Sequence, residues 1–412
     1  MNFEVVNQVL VMKLDLVATV AVAVLLLMFG SWLRRVFPVL ARFCIPAAVI
    51  GGFTFSMLAW VLKETSIVTF KMDTVLQMPF MIAFFTTVGL GGSFGLIKKG
   101  GKSLFVYLVG CWVLAVMQNV VGAGMAMLSG IHPVLGVMAG AVSLEGGMGA
   151  ASAFGPTAEQ LGVQGAFVVA VAAATYGLIT GGLVGGPLAK WLIEHYNLAI
   201  ETSKEEFNAL HQVSPENEHD DVVSSNNVLS SMAVILVAMV LGAMFSAKIK
   251  DLTGFVLPGY VGAMFVAVLI RNFNDVKPVF TMNEKAIDLI ADVSLGIFLT
   301  MAMMSLKIWE LSSLAGPLVL ILVVQTIFMF IYCIYFLFPL LGRDYDAAIM
   351  CAGMIGHGLG ATPNAIANMN AVTERYGVVS RKAFLIVPLC GAVLIDFVGI
   401  PNIVWFINYF TK

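Results

Sequence analysis

Two glycine-rich segments occupy corresponding places in the two halves of this 412-residue chain, each set in apolar sequence. The first reads Ser143-Leu-Glu-Gly-Gly-Met-Gly-Ala-Ala-Ser152 and the second Gly356-His-Gly-Leu-Gly-Ala-Thr-Pro-Asn364. Each glycine costs a helix about 1 kcal/mol against alanine, so glycines at this density predict a break. Broken backbone at membrane depth is tolerated only where protein buries it or where it lines a wet cavity. The freed N–H and C=O groups can then coordinate a small cation or a carboxylate. Helix N-termini beside a break favour an anion. Paired breaks in matching positions are the best pointer in a sequence to a transport site. Gly146, Gly147, Gly149, Gly358 and Gly360 carry this reading.

Polar side chains gather around the same segments. Thr362, Asn364 and Asn368 follow Gly360, and Asn364 and Asn368 stand i, i+4 on one helical face. With Ser152 and Thr157 in the first half, they are candidate donors to a substrate or an ion. The competing role is hydrogen bonding between helices, worth about 1 kcal/mol each. Gln118, Asn119 and Gln325 are mid-helix amides suited to either role. Three ionisable residues fall where hydrocarbon is expected. Asp396, in Val-Leu-Ile-Asp-Phe-Val, is a candidate cation ligand, since an intramembrane carboxylate is a functional residue by default. Glu145 precedes the first glycine pair and suits a cation ligand, a proton carrier or a neutral hydrogen bonder. His357 lies inside the second segment. Arg375 suits either a substrate carboxylate or a pair with its neighbour Glu374 at the inner surface, and the pair is the expectation.

The elements around these residues follow from hydropathy. Apolar residues make up 60% of the chain and charged ones 11%, too little charge for a water-soluble protein of this length. No basic run suits nucleic acid. The N-terminus reads as a retained span and not a cleaved signal. The five cysteines lie in apolar stretches without C-x-x-C spacing and read as small core residues. Apolar runs fall near 14–33, 38–62, 78–97, 104–128 and 165–192, then near 228–247, 255–272, 286–306, 316–341 and 382–410. Each approaches the roughly 20 residues that cross hydrocarbon. A hydrophilic linker, 194–227, separates the halves.

The halves match in order. Phe43-Cys-Ile-Pro46 pairs with Phe255-Val-Leu-Pro258, Gln118 with Gln325, Gly147-Met-Gly-Ala150 with Gly358-Leu-Gly-Ala361, and Glu159-Gln-Leu-Gly162 with Glu374-Arg-Tyr-Gly377. Five spans per half make the second copy enter from the opposite side. The expected fold is an all-α polytopic membrane protein of two inverted-topology repeats of five transmembrane helices. One repeat is 1–193 with a re-entrant glycine-rich hairpin at about 134–160, and the other is 228–412 with its hairpin at about 346–375. This is secondary-transporter architecture. Most of the 22 lysines and arginines then fall inside if both termini and the linker obey the positive-inside rule, termini out and linker in. An intramembrane aspartyl protease would need an acid where Ala361 follows Gly360, so no enzyme is expected. A passive channel would not need two-sided exchange.

At these residues the chain resembles the sodium/glutamate symporter family, most closely over Gly358-Leu-Gly-Ala-Thr-Pro-Asn-Ala-Ile-Ala-Asn-Met-Asn-Ala-Val-Thr-Glu-Arg-Tyr-Gly377, Lys307-Ile-Trp-Glu-Leu-Ser-Ser-Leu-Ala315 and Leu322-Val-Val-Gln-Thr-Ile-Phe328. The resemblance implies ten spans, paired re-entrant hairpins and sodium-driven glutamate uptake at a bacterial inner membrane, with periplasmic termini and a cytoplasmic linker. It carries over Gly146, Gly147, Gly149, Gly358, Gly360 and Thr362. Met148 and His357 depart from the family's hairpin pattern. The expected partners are glutamate, sodium as coupling ion (to be met by Asp396 and Glu145), the lipid bilayer and a second copy of the chain, with no further cofactor. The alternative is a sodium- or proton-coupled symporter of another small dicarboxylate or amino acid.

Overall fold

The apolar runs become helices in the computed structural model, which describes residues 2–6, 9–42, 45–93, 101–199, 224–253, 257–307 and 314–411. Most of the linker, Phe43 and Cys44, Phe255, and 308–313 of the family-like stretch lie outside the described residues. In chain order the helices are α1 Leu16–Val36, α2 Pro38–Arg42, α3 Ala47–Glu64, α4 Gln77–Gly91 and α5 Gly101–Leu128. Next come α6 Pro133–Val137, which runs into a π-helical stretch Met138–Val142, then α7 Gly147–Gln160 and α8 Ala166–His195. The second half holds α9 Ser225–Thr253, α10 Gly259–Val276 and α11 Glu284–Met304. In α12, Ala315–Ile331, the helix continues through a π turn, Tyr332–Leu337. Last are α13 Tyr345–Leu359, α14 Thr362–Tyr376, α15 Arg381–Leu389 with a π turn Cys390–Leu394, and α16 Asp396–Phe410.

Seven of the described helices are long and apolar enough to cross a membrane: α1, α3, α5, α8, α9, α11 and α12 with its extension. The molecule is a mostly helical polytopic membrane protein. It is not all-α. Strand β1 (Asn2–Val6) pairs antiparallel with β2 (Val9–Leu14), which pairs parallel with β3 (Val68–Met72). Val9, Val11, Val68 and Thr69 are β-branched and the runs are too short to span, so they settle as strands. The first helix accordingly starts at Leu16, behind Asp15, whose Oδ1 accepts the Ala18 N–H at 2.9 Å.

The chain divides into two compact units, and each takes segments from both halves. Unit 1 holds residues 1–92, 148–171 and 223–316. Its helices approach through small residues, as membrane helices do. A Cβ on Gly51 would lie 1.9 Å from Leu26 O, so α1 and α3 cross backbone to backbone. Ser56 Oγ donates to Met303 O, tying α3 to α11. Arg271 on α10 pairs with Asp275 at 3.0 Å and Glu284 at 3.3 Å and donates to Leu90 O of α4.

Unit 2 holds residues 93–147, 172–222 and 317–412. The long helix α5 lies at its centre, against α6, α15 and α16. Helices α13 and α14 pack antiparallel as a hairpin: Gly356 lies against Ala365, and Asn368 Nδ2 donates to Ala352 O at 3.3 Å. The C-terminal part of α8 lies on this hairpin along Gly177, Gly181 and Gly185.

Candidate functional site

The glycine segments break their helices where their composition demands. In the first, Gly140 leaves helical geometry, Glu145 and Gly146 interrupt the chain, and Gly147 opens α7 with φ +58°. In the second, α13 ends at Leu359, and Gly360 and an extended Ala361 precede α14. The matched glycines stand on different sides of their breaks, Gly147 after and Gly358 before. The breaks meet inside unit 2: a Cβ on Gly147 would sit 3.4 Å from Gly360 O. Thr362 starts α14 beside this point, with Pro363 in its first turn.

Two adjacent amides of α5 hold both broken segments. Gly358 O lacks a helical donor because the chain turns away before Thr362, and Gln118 Nε2 donates to it at 2.7 Å. Asn119 Oδ1 accepts the N–H of Ala141, beside the kink at Gly140, at 3.1 Å. Gln325 on α12 donates its Nε2 to Gln118 O at 2.7 Å. All three side chains are fully buried. Asn364 and Asn368 also act between elements, their Nδ2 atoms donating at 2.8 Å to Leu178 O and Gly181 O of α8. Tyr107 and Tyr332, which sequence reasoning passed over, bond His357 Nε2 at 2.9 Å and Gly110 O at 2.6 Å. A tyrosine inside an apolar run was the available signal, since a buried hydroxyl needs a partner.

The two ion-binding candidates share unit 2. Asp396 opens α16, and its carboxyl lies within electrostatic reach of Glu145. Both residues are half-buried, and one carboxylate oxygen of Glu145 is buried with no hydrogen-bond partner among the described residues. Gly149 and Ser152 belong to unit 1. Gly149 faces Phe84 at ordinary contact distance. Ser152, whose buried Oγ has no hydrogen-bond partner among the described residues, and Thr157 line a cavity of about 580 Å³ together with Gln77, Gln160 and Tyr260. Arg375 departs from the expectation, because its ion pair is with Glu194 of α8 at 3.7 Å and not with Glu374. The hairpin brings the last turn of α14 to the end of α8, a contact that sequence adjacency does not reveal.

Comparison with known proteins gives one consistent family. The model described as Sodium/glutamate symporter matches residues 12–378. The chain is 40% identical to the sodium/glutamate symporter of Escherichia coli (strain K12) over 390 residues, 94% of this chain and 96% of that one. It is 38% identical to the sodium/glutamate symporter of Haemophilus influenzae over 382 residues, 92% of this chain and 94% of that one. Among solved structures, the sodium proton antiporter MjNhaP1 from Methanocaldococcus jannaschii is similar at 13% identity and a TM-score of 0.39 over 95% of each chain, too distant a likeness to fix the fold.

Proposed function

The chain belongs to the sodium/glutamate symporter family, whose members are membrane transporters and not enzymes, and we propose that it carries glutamate inward with sodium by alternating access. The observation that carries this reading is the meeting of the two breaks in unit 2, with Gly147 beside Gly360 and the Glu145 and Asp396 carboxyls within reach of each other. The backbone at Gly147, the N-terminus of α14 at Thr362 and the second Nδ2 hydrogen of Asn364 supply donors for a substrate carboxylate, while the Gly146 and Gly360 N–H groups bond Ala141 O and Gly356 O, Gly358 O is held by Gln118, and Asn368 Nδ2 is shared between Gly181 O and Ala352 O. Two carboxylates in a poorly hydrated place repel unless a cation or proton lies between them, which suits a coupling sodium.

In this reading the ten apolar runs are ten spans in two inverted repeats, 1–193 and 228–412, each with a re-entrant hairpin. The antiparallel packing of α13 on α14 supports the second hairpin. The shorter α4, the charged end of α10 and the π-interrupted α15 and α16 complete the count. Both termini are periplasmic, the linker is cytoplasmic, and the protein is a homodimer in a bacterial inner membrane.

The deciding experiment is uptake of labelled glutamate, aspartate and malate into proteoliposomes with sodium and proton gradients imposed separately. One net charge moved inward at 100 mV yields about 2.3 kcal/mol, or roughly fiftyfold accumulation. Glutamate should concentrate under a sodium gradient. Uptake driven by protons and not by sodium refutes the coupling, and equilibration without accumulation makes the protein a channel.

The inverted topology has its own check. In a cysteine-free background, a cysteine at Ala150 is expected to react from outside and one at Ala361 from inside, with saturating glutamate protecting both. Reaction of both from one side alone rules out opposed hairpins.

A further inference from the structure

At the centre of unit 2, the amides that hold the broken segments leave two oxygens unused. Gln118 and Gln325 each commit Nε2 to a main-chain carbonyl, Gly358 O and Gln118 O. A carbonyl only accepts, so neither amide can be turned round, and both Oε1 atoms are fixed as acceptors. Both oxygens are buried, and neither has a donor among the described residues. Buried polar atoms are almost always partnered. The Nε2 bonds account for a donor at each position and leave the two Oε1 atoms uncompensated, so two such oxygens at matched positions of the two halves point to a ligand that meets them. Uncharged amide and carbonyl oxygens are suitable ligands for a partly dehydrated monovalent cation.

We infer that a sodium ion binds in unit 2 with Gln118 Oε1 and Gln325 Oε1 among its ligands. The inference rests on the sodium-coupled reading and adds a binding site to it. It also links ion occupancy to the second break, because the Gln118 side chain that meets the ion through Oε1 holds Gly358 O through Nε2. An ion that fixes the Gln118 rotamer thereby fixes the end of α13.

The test is sodium-dependent thermal unfolding of the full-length protein in detergent, without glutamate, with choline replacing sodium at constant ionic strength. Saturable stabilisation by sodium and not by potassium is expected. Gln118→Met and Gln325→Met keep the length and lose the oxygen together with the Nε2 bond to a main-chain carbonyl, and each should raise the half-saturating sodium concentration at least tenfold. Folded variants with an unchanged half-saturation overturn the site and leave the two oxygens to bound water. Equal stabilisation by potassium overturns it as well. If both methionine variants fail to fold, Gln325→Glu decides. The glutamate holds Gln118 O only while protonated and brings its charge to the ion only when ionised, so the half-saturating concentration should become pH-dependent, and a pH-independent value overturns the proposal. Absence of both sodium stabilisation and sodium-driven uptake in the unaltered protein removes the sodium-coupled reading itself. Sodium-driven uptake alongside unaltered variants removes only this site.

Discussion

Replacing Asp396 with asparagine is expected to raise the sodium concentration for half-maximal glutamate uptake at least tenfold, equivalent to about 1.4 kcal/mol. Asp396 sits at the start of α16, next to a π turn, in the stretch Leu-Ile-Asp-Phe-Val. A charge inside hydrocarbon costs at least about 2.5 kcal/mol, and Glu145 within electrostatic reach adds repulsion and no relief. A bound cation offsets both terms. Asparagine keeps the shape and hydrogen-bonding capacity and removes the charge, so expression and folding should be retained. Sodium dependence of uptake, measured on protein reconstituted at equal amounts, checks this. Glu145→Gln should act in the same direction. If one ion uses both carboxyls, the double variant should show less than the sum of the two effects, since groups that share a partner are not additive. Unchanged sodium dependence in folded Asp396→Asn protein makes the residue structural.

Gly177→Ala should abolish transport, lowering uptake at least a hundredfold per inserted molecule. Its Cβ would lie 1.9 Å from Leu359 O and 3.1 Å from Leu359 C, and a backbone carbonyl beside the second break cannot rotate aside. The helix α8 must instead lift from the hairpin. That displacement breaks the bonds from Asn364 to Leu178 O and from Asn368 to Gly181 O, both 2.8 Å. Overpacking commonly costs about 1–3 kcal/mol, and here it falls on the tip that positions Gly360 and Thr362. Gly186→Ala is the control, because that glycine faces open space, and it should transport within about twofold of the unaltered protein by the small effect expected of a substitution away from packed features. Equal activity of the two variants in an uptake assay normalised to membrane-inserted protein would show that this close approach does not position the tip.

The two breaks were readable because glycine acts locally: its helix cost depends on no distant partner. The pairing of Asn364 with Asn368 on one face was readable for the same reason, and both side chains do point to one neighbour, α8. What that neighbour is depends on tertiary contact, which spacing does not encode. The glycines of α8 illustrate the limit. Gly181 with Gly185 and Gly182 with Gly186 have the same spacing in the sequence, whereas the contact runs along Gly177, Gly181 and Gly185, spaced by four, and leaves Gly186 open. Gln118 and Asn119 stayed ambiguous because an amide in an apolar helix signals need without naming what meets it. The sheet of β1, β2 and β3 escaped because hydropathy does not separate a short strand from the edge of a span.

The π turn at Tyr332–Leu337 has a consequence for chain length. It lies between two sets of contacts on one helix. Before it, Gln325 meets Gln118; its first and last residues, Tyr332 and Leu337, both meet Gly110; after it, Phe338 packs against Tyr196 in a tilted pair with ring centroids 5.2 Å apart. A π turn holds one residue more than the α-helical path, and a residue is worth about 100° of rotation. The surplus residue is therefore a phase correction between the two sets. A relative that lacked one residue between Tyr332 and Leu337 would have to give up one set or the other, so insertions and deletions here should be rarer than substitutions.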